Sequence, residues 1–143
     1  MKIEKIEDCK IIQDKIDETF VEQAQKNNIN TNYQEFVYSV KDDNGIIMGG
    51  ISGRRLFKEV HVSELCLAET ARGQGIGKKL LEIVEKEICN SETDYITLTT
   101  NAFQKAIEFY KKCGFEIEFI RKNKDSRFDK YYMVKNIYEN RKS

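Results

Sequence analysis

The chain has 143 residues, which is enough for one domain of ordinary size and too few for two. Its 24 lysines and arginines balance 24 aspartates and glutamates, so no net charge draws it to nucleic acid or to an anionic membrane. No apolar run approaches the roughly 20 residues of a membrane span, and residues 1–7 lack an apolar signal-peptide core. We therefore expect a single domain over residues 1–143, located in the cytoplasm.

The first half of the chain is predicted to contain a strand, a helix and a group of three strands. Charged residues alternate with isoleucine over residues 2–6, which predicts a short strand, and apolar residues recur at helical spacing from Asp8 to Ala24. A weak pattern in residues 30–36 indicates a further helical turn. Strands are predicted at residues 36–40, 46–57 and 60–67, the first two joined at Asn44-Gly45, a strong hairpin signal, and the second carrying glycines 49, 50 and 53 that permit a bulge.

The second half alternates helices and strands. A helix opening after Gly75 carries apolar residues at four-residue steps, and a second helix over residues 102–112 ends before Gly114. Strands are predicted at residues 95–98, 115–120 and 131–137. The order β-α-β-β-β-α-β-α-β-β predicts an α/β (α+β) fold with a mixed, mostly antiparallel sheet of about six or seven strands and helices on both faces.

Two other sequence features argue against particular ligands. The four cysteines are widely spaced, form no CxxC pair and have no histidine at metal-ligand spacing, so we expect reduced thiols and no metal. The most basic stretch, residues 121–130, also contains Asp125 and Asp129, and it predicts a solvated turn and no nucleic-acid partner.

A glycine-rich turn is the densest chemical signal. It lies between a predicted strand and an amphipathic helix, where unpaired N–H groups and the helix dipole favour an anion and where glycines allow close approach. A pyrophosphate fits such a turn, and basic side chains at both ends add positive charge. The residues are Arg72, Gly73, Gln74, Gly75, Ile76, Gly77 and Lys78.

The spacing of this turn separates three kinds of phosphate ligand. The dinucleotide fingerprint GxGxxG fails because the third glycine, Gly77, comes one residue early. The ATP-type P-loop fails because Arg72 stands at its first glycine position and Lys79 at its Ser/Thr position. The spacing Arg-x-x-Gly-x-Gly fits, and a glycine turn without any ligand is the remaining alternative.

Two motifs together resemble the GNAT superfamily of acyl-CoA-dependent N-acyltransferases, particularly its small bacterial members. They are residues 65–81 and residues 106–115, which include the turn above and a helix followed by Gly114-Phe115. The resemblance implies acetyl-CoA as cosubstrate, with the pyrophosphate on the N–H groups of residues 72–78 and Tyr110 near the thioester sulfur. It also implies pairing of the pantetheine arm with the backbone of Leu65, Cys66 and Leu67.

One position departs from the family pattern. Many members carry asparagine three residues before the alanine of the second motif, Ala106, and this chain has Phe103 there. The nearest asparagine is Asn101. The resemblance therefore leaves two candidate coenzyme contacts, a hydrogen bond from Asn101 and packing by Phe103.

Amide formation from a thioester needs a base, a group that stabilises the carbonyl oxygen, and a proton donor for the leaving sulfur. Backbone N–H groups near Cys66 and Leu67 suit the oxygen, and Tyr110 suits the sulfur. His61, the only histidine, and Glu64 are the candidate bases, with a water-mediated or substrate-supplied route as the alternative. Simple alternation puts residues 61, 63, 65 and 67 on one strand face and Glu64 on the other, which argues against a Cys66 nucleophile activated by His61.

These observations predict an N-acetyltransferase that moves the acetyl group of acetyl-CoA to a primary amine by direct attack in a ternary complex. The acceptor is a small-molecule or protein amine, and the sequence does not identify it. The alternatives are a non-catalytic acyl-CoA-binding module and a nucleotide-binding protein. A homodimer stays open, because no residue indicates one.

Overall fold

The computed structural model describes residues 1–7 and 9–138, and the chain divides into a compact unit of residues 1–31 and a second unit that starts at Asn32. The first unit contains helix α1 (Lys10–Lys26), as the apolar spacing predicts, while Asp8 lies outside the described residues. The strand predicted at residues 2–6 is wrong: these residues are not in a strand. Five alternating residues satisfy a strand pattern, but a strand also needs a partner for its backbone groups. One domain over residues 1–143 stays a prediction.

The second unit is built on a six-stranded sheet in the order β1-β2-β3-β4-β6-β5. Only β3 and β4 are parallel, so the predicted mixed, mostly antiparallel α/β architecture is confirmed. The helical turn indicated at residues 30–36 is absent, because Gln34 already belongs to the first strand. The strands are β1 (Gln34–Lys41), β2 (Ile47–Leu56), β3 (Glu59–Leu67), β4 (Tyr95–Asn101), β5 (Glu116–Arg121) and β6 (Lys130–Asn136).

Helices α2 (Ile76–Glu87) and α3 (Ile107–Lys112) pack on one face of this sheet. The four-residue steps of α2 bury Leu80 and Val84 against strand residues that include Val60, which is fully buried. Tyr110 of α3 belongs to the same apolar cluster. The core therefore lies between one face of the sheet and two helices, of which α2 follows the glycine turn and α3 lies within the second motif.

The helix predicted over residues 102–112 is interrupted. Residues 102–104 form a single 3-10 turn, Lys105 has a left-handed φ of 53°, and α3 begins only at Ile107. The Gln104 side chain explains the early end, because its Oε1 accepts the N–H of Asn101 at 2.8 Å and closes the turn on itself. Phe103 is consequently turned away from the core and stays 53% exposed.

Within residues 1–7 and 9–138, no helix has both the length and the apolar character that crossing a membrane requires.

Candidate active site

A β-bulge in β3 sets the orientation of the candidate site residues. Ser52 of β2 lies opposite Glu64, but the next residue of β2, Gly53, lies opposite Val62, so Ser63 is an extra residue in β3. A bulge of this kind reverses the alternation of the side chains that follow it.

The bulge overturns the predicted arrangement of faces. Val60 and Val62 before the bulge and Leu65 and Leu67 after it all pack against the core cluster. The other face therefore receives His61, Glu64 and Cys66 together. The prediction that His61 shares a face with Leu65 and Leu67, opposite Glu64, is wrong, and the geometric argument against a His61–Cys66 pairing no longer holds.

The parallel strands β3 and β4 separate immediately after the candidate base. They pair at Glu59–Tyr95, Val60–Ile96 and His61–Thr97, and their pairing ends there. Beyond this point β3 follows β2 as far as Leu67, while β4 follows β6 as far as Asn101. The gap between residues 62–67 and residues 98–101, which we call the fork, therefore opens at His61.

The glycine turn follows the end of β3 and starts α2. Gly73 and Gly75 have left-handed φ values of 75° and 77°, and a Cβ at either position would meet no atom within 4 Å. Their backbone is therefore open, as a bound phosphate would require. Gly77 has another role, since a Cβ there would lie 2.9 Å from Cζ of Phe109, and its lack of a side chain brings α2 against α3.

The polar side chains of the turn bind back to the chain. The Arg72 Nε donates to the carbonyl of Leu67 at 3.0 Å, and the Gln74 Nε2 donates to the carbonyl of Thr70 at 3.1 Å. Lys78 lies in the first turn of α2 and is exposed. The Arg72 guanidinium is thereby fixed between the end of β3 and the open glycines, where it adds positive charge.

Tyr110 lies on α3, in the apolar cluster between the sheet and the helices. It is 7% exposed, and its ring packs against Phe109 and Phe115 at centroid distances of 5.1 and 5.9 Å. Burial, with smaller contributions from the thiols of Cys113 and Cys66, raises the pKa of Tyr110 to about 12. Its hydroxyl has no hydrogen-bond partner among the described residues, so at neutral pH it is a protonated donor within electrostatic range of Cys66.

His61 is half-buried at the point where the fork opens. Its Nδ1 lies 2.9 Å from Thr97 Oγ1, and that hydroxyl donates to Glu59 Oε1 at 3.0 Å. Burial lowers the pKa of His61; Glu59 opposes this effect, while Arg54 and Lys130 add to it. The imidazole is therefore mainly neutral at pH 7.

The remaining predicted residues lie around the fork. Glu64 and Cys66 are exposed, and Asn101 is the last residue of β4. Phe103 contacts Phe128 edge-on at a centroid distance of 5.8 Å. Sequence reasoning missed Thr97, Glu59 and Phe109, whose contacts with His61 and Gly77 become visible only when the strand register and helix packing are known.

Residues 1–7 and 9–138 contain no group of three or more His, Cys, Asp or Glu side chains placed to hold a metal ion.

The fork between parallel strands leads to an open, basic turn at the N-terminus of α2. The family model of the acetyltransferase (GNAT) domain matches residues 4–130, and the chain belongs to this family of acyltransferase enzymes. No curated protein matches the sequence.

Solved structures share the fold over nearly the whole chain. A protein from Agrobacterium tumefaciens assigned as an acetyltransferase has a TM-score of 0.78 at 20% identity, covering 95% of this chain and 98% of its own. An acetyltransferase from Bacillus cereus ATCC 14579 has a TM-score of 0.75 at 24% identity, covering 95% and 97%. A GNAT family acetyltransferase from Elizabethkingia anophelis, solved with acetyl-CoA bound, has a TM-score of 0.61 at 20% identity, covering 82% of each chain.

Proposed function

We propose that this protein is an N-acetyltransferase that transfers the acetyl group of acetyl-CoA directly to a primary amine in a ternary complex. The observation that carries the proposal is the fork that opens at His61 and leads to a turn with two open, left-handed glycines. Family membership supports the acetyl donor, and the chemistry of the side chains around the fork supports the steps below.

The residues present fit the coenzyme. Of the predicted residues Leu65, Cys66 and Leu67, the first and third direct their backbone groups to the fork, because Cys66 lies in a pair that bonds to β2. The backbone groups of Leu65 and the N–H of Leu67 would pair with the amides of the pantetheine arm, while the Leu67 carbonyl accepts from Arg72 Nε. The N–H groups of the glycine turn and the first turn of α2 would hold the diphosphate, with Arg72 and Lys78 adding charge. Asn101 and Phe103, at the far side of the fork, are the candidates for further contacts.

Tyr110 acts on the leaving sulfur as a hydrogen-bond donor. With its pKa at about 12, full proton transfer to a thiolate of pKa about 8.5 would be uphill by roughly 5 kcal/mol. A hydrogen bond from the Tyr110 hydroxyl to the sulfur has no such cost, and it strengthens as negative charge develops there. Of the two predicted backbone donors beyond the bulge, the Leu67 N–H would stabilise the carbonyl oxygen. The Cys66 N–H is turned toward β2, because Ala68 N–H bonds to the Met48 carbonyl and Cys66 lies opposite Gly50 in the same register.

His61 is the better of the two candidate bases. A neutral imidazole is too weak to deprotonate a free alkylammonium, whose pKa is about 10.4, so the amine attacks in its neutral form after losing that proton to solvent. Its nitrogen becomes much more acidic once it bonds to the carbonyl carbon. His61 would take the proton at that stage. Glu64 is exposed beyond the bulge, whereas His61 is half-buried and held by Thr97.

The proposal is tested by measuring free thiol release from acetyl-CoA with a panel of primary amines and identifying the amide by mass spectrometry. Direct attack predicts intersecting lines in double-reciprocal plots when both substrates are varied. It also predicts that Cys66→Ala stays active and that no acetyl-enzyme accumulates. Saturable acetyl-CoA binding without turnover of any amine would instead favour a non-catalytic acyl-CoA-binding module.

A further inference from the structure

We propose that Thr97 and Glu59 are positioning residues that hold the His61 ring with its proton on Nδ1 and its lone pair on Nε2. The tautomer is a property of the folded chain by itself. Its use, with Nε2 accepting the proton of the attacking amine, rests on the proposed function.

The argument follows the single proton of a threonine hydroxyl. Thr97 Oγ1 lies 3.0 Å from Glu59 Oε1 and 2.9 Å from His61 Nδ1, so it bonds to both groups. An ionised carboxylate only accepts, and it accepts more strongly than a neutral ring nitrogen, so the Thr97 proton points to Glu59. Oγ1 then presents a lone pair to Nδ1, and Nδ1 must carry a proton to complete the bond.

The strand register holds these three groups in place. Glu59 and His61 are two residues apart on β3 before the bulge and share a face, and Thr97 lies directly opposite His61 in the parallel pair. Among residues 1–7 and 9–138, Nε2 has no hydrogen-bond partner. Because this is the last pair before the fork, a lone pair on Nε2 stays available to a substrate there.

The charges near His61 come from three strands and keep the ring neutral. Arg54 of β2, directly opposite His61, and Lys130 of β6 disfavour the imidazolium, as burial does, while Glu59 on β3 favours it. Glu59 thus has two separable effects, as an acceptor for Thr97 and as a charge. Glu59→Gln keeps an acceptor oxygen and removes the charge, so it should preserve the tautomer and lower the pKa of His61.

Nitrogen-15 NMR of histidine-labelled protein tests the tautomer directly, because His61 is the only histidine. At a pH where the ring is neutral, we expect Nδ1 protonated and Nε2 unprotonated in the wild type. Thr97→Val, which keeps the β-branched shape and loses the hydroxyl, should shift the tautomer ratio toward Nε2–H by about fivefold. Thr97→Ser should retain the wild-type ratio, and so should Thr99→Val, a matched change two residues along β4.

A wild-type ring protonated on Nε2, or a tautomer ratio that Thr97→Val leaves unchanged, would overturn the assignment whether or not the protein acetylates an amine. The catalytic consequence is measured separately. Thr97→Val should lower kcat about tenfold at an unchanged KM for acetyl-CoA, with recovery in Thr97→Ser. An unchanged kcat in Thr97→Val despite a shifted tautomer would refute the positioning role. A wild-type protein that acetylates no amine would instead refute the proposed function, and the NMR result would still decide the tautomer.

Discussion

A methyl group built on Gly53 would overlap the carbonyl oxygen of His61 in the neighbouring strand, whereas one built on Gly75 would meet no atom within 4 Å. The first glycine lets β2 approach β3 beside the bulge, so the fold itself requires it. The second is required by its left-handed backbone, and the space around it is open. Glycines that look alike in the sequence thus divide into those that hold the sheet together and those that expose main chain to a ligand.

The largest effect we predict is on the folding side of this comparison. Gly53→Ala should lower the free energy of unfolding by about 3 kcal/mol, because the new Cβ must displace strand backbone and also lies 2.7 Å from Cζ of Phe36. Urea unfolding followed by circular dichroism measures this. A loss no greater than that of Gly45→Ala, which has open space around it, would show that β2 and β3 are not closely spaced there.

Tyr110 combines the two roles in one side chain, since its ring belongs to the core and its hydroxyl is the proposed donor to the leaving sulfur. Tyr110→Phe should lower kcat by roughly tenfold to a hundredfold, with coenzyme affinity nearly unchanged and the unfolding free energy within about 0.5 kcal/mol of wild type. The control is Tyr38→Phe, which removes a 2.7 Å hydrogen bond to Glu87 and should leave kcat unchanged. Equal activity of wild type and Tyr110→Phe would remove the hydroxyl from the mechanism.

The glycine turn can be tested against a matched turn elsewhere in the chain. Gly45 and Gly75 have φ values of 78° and 77°, and a Cβ at either would meet no atom within 4 Å. Alanine at each site should therefore cost a similar strain, about 1 kcal/mol of unfolding free energy. Only Gly75→Ala should also weaken coenzyme binding, by about tenfold, as measured by calorimetry. Equal coenzyme affinities for the two variants would contradict a phosphate bound to this turn.

The parts of the fold that follow local rules were predictable, and the geometry of the site was not. Asn44-Gly45 indicated its hairpin and the four-residue steps of α2 indicated its buried face, because each signal lies within one element. The bulge at Ser63 does leave a local signal, because the adjacent polar residues Ser63 and Glu64 shift the apolar positions from 60 and 62 to 65 and 67. The prediction assumed simple alternation across this break and therefore assigned the faces wrongly. His61 and Thr97 are 36 residues apart in sequence, so their contact depends on a register that only tertiary pairing fixes.

The smallest effect concerns the pH at which the two candidate bases act. His61 must be neutral to accept a proton, and since burial and nearby cations lower its pKa, kcat at saturating amine should rise with pH through a value below 6.5 and then level off. His61→Gln should lower kcat and abolish this rise of kcat with pH, while Glu64→Gln should retain the rise. A pH-dependent rise in kcat that persists in His61→Gln and disappears in Glu64→Gln would assign the base to Glu64 instead. The pH profiles of the two variants therefore decide which residue beside the bulge takes the proton.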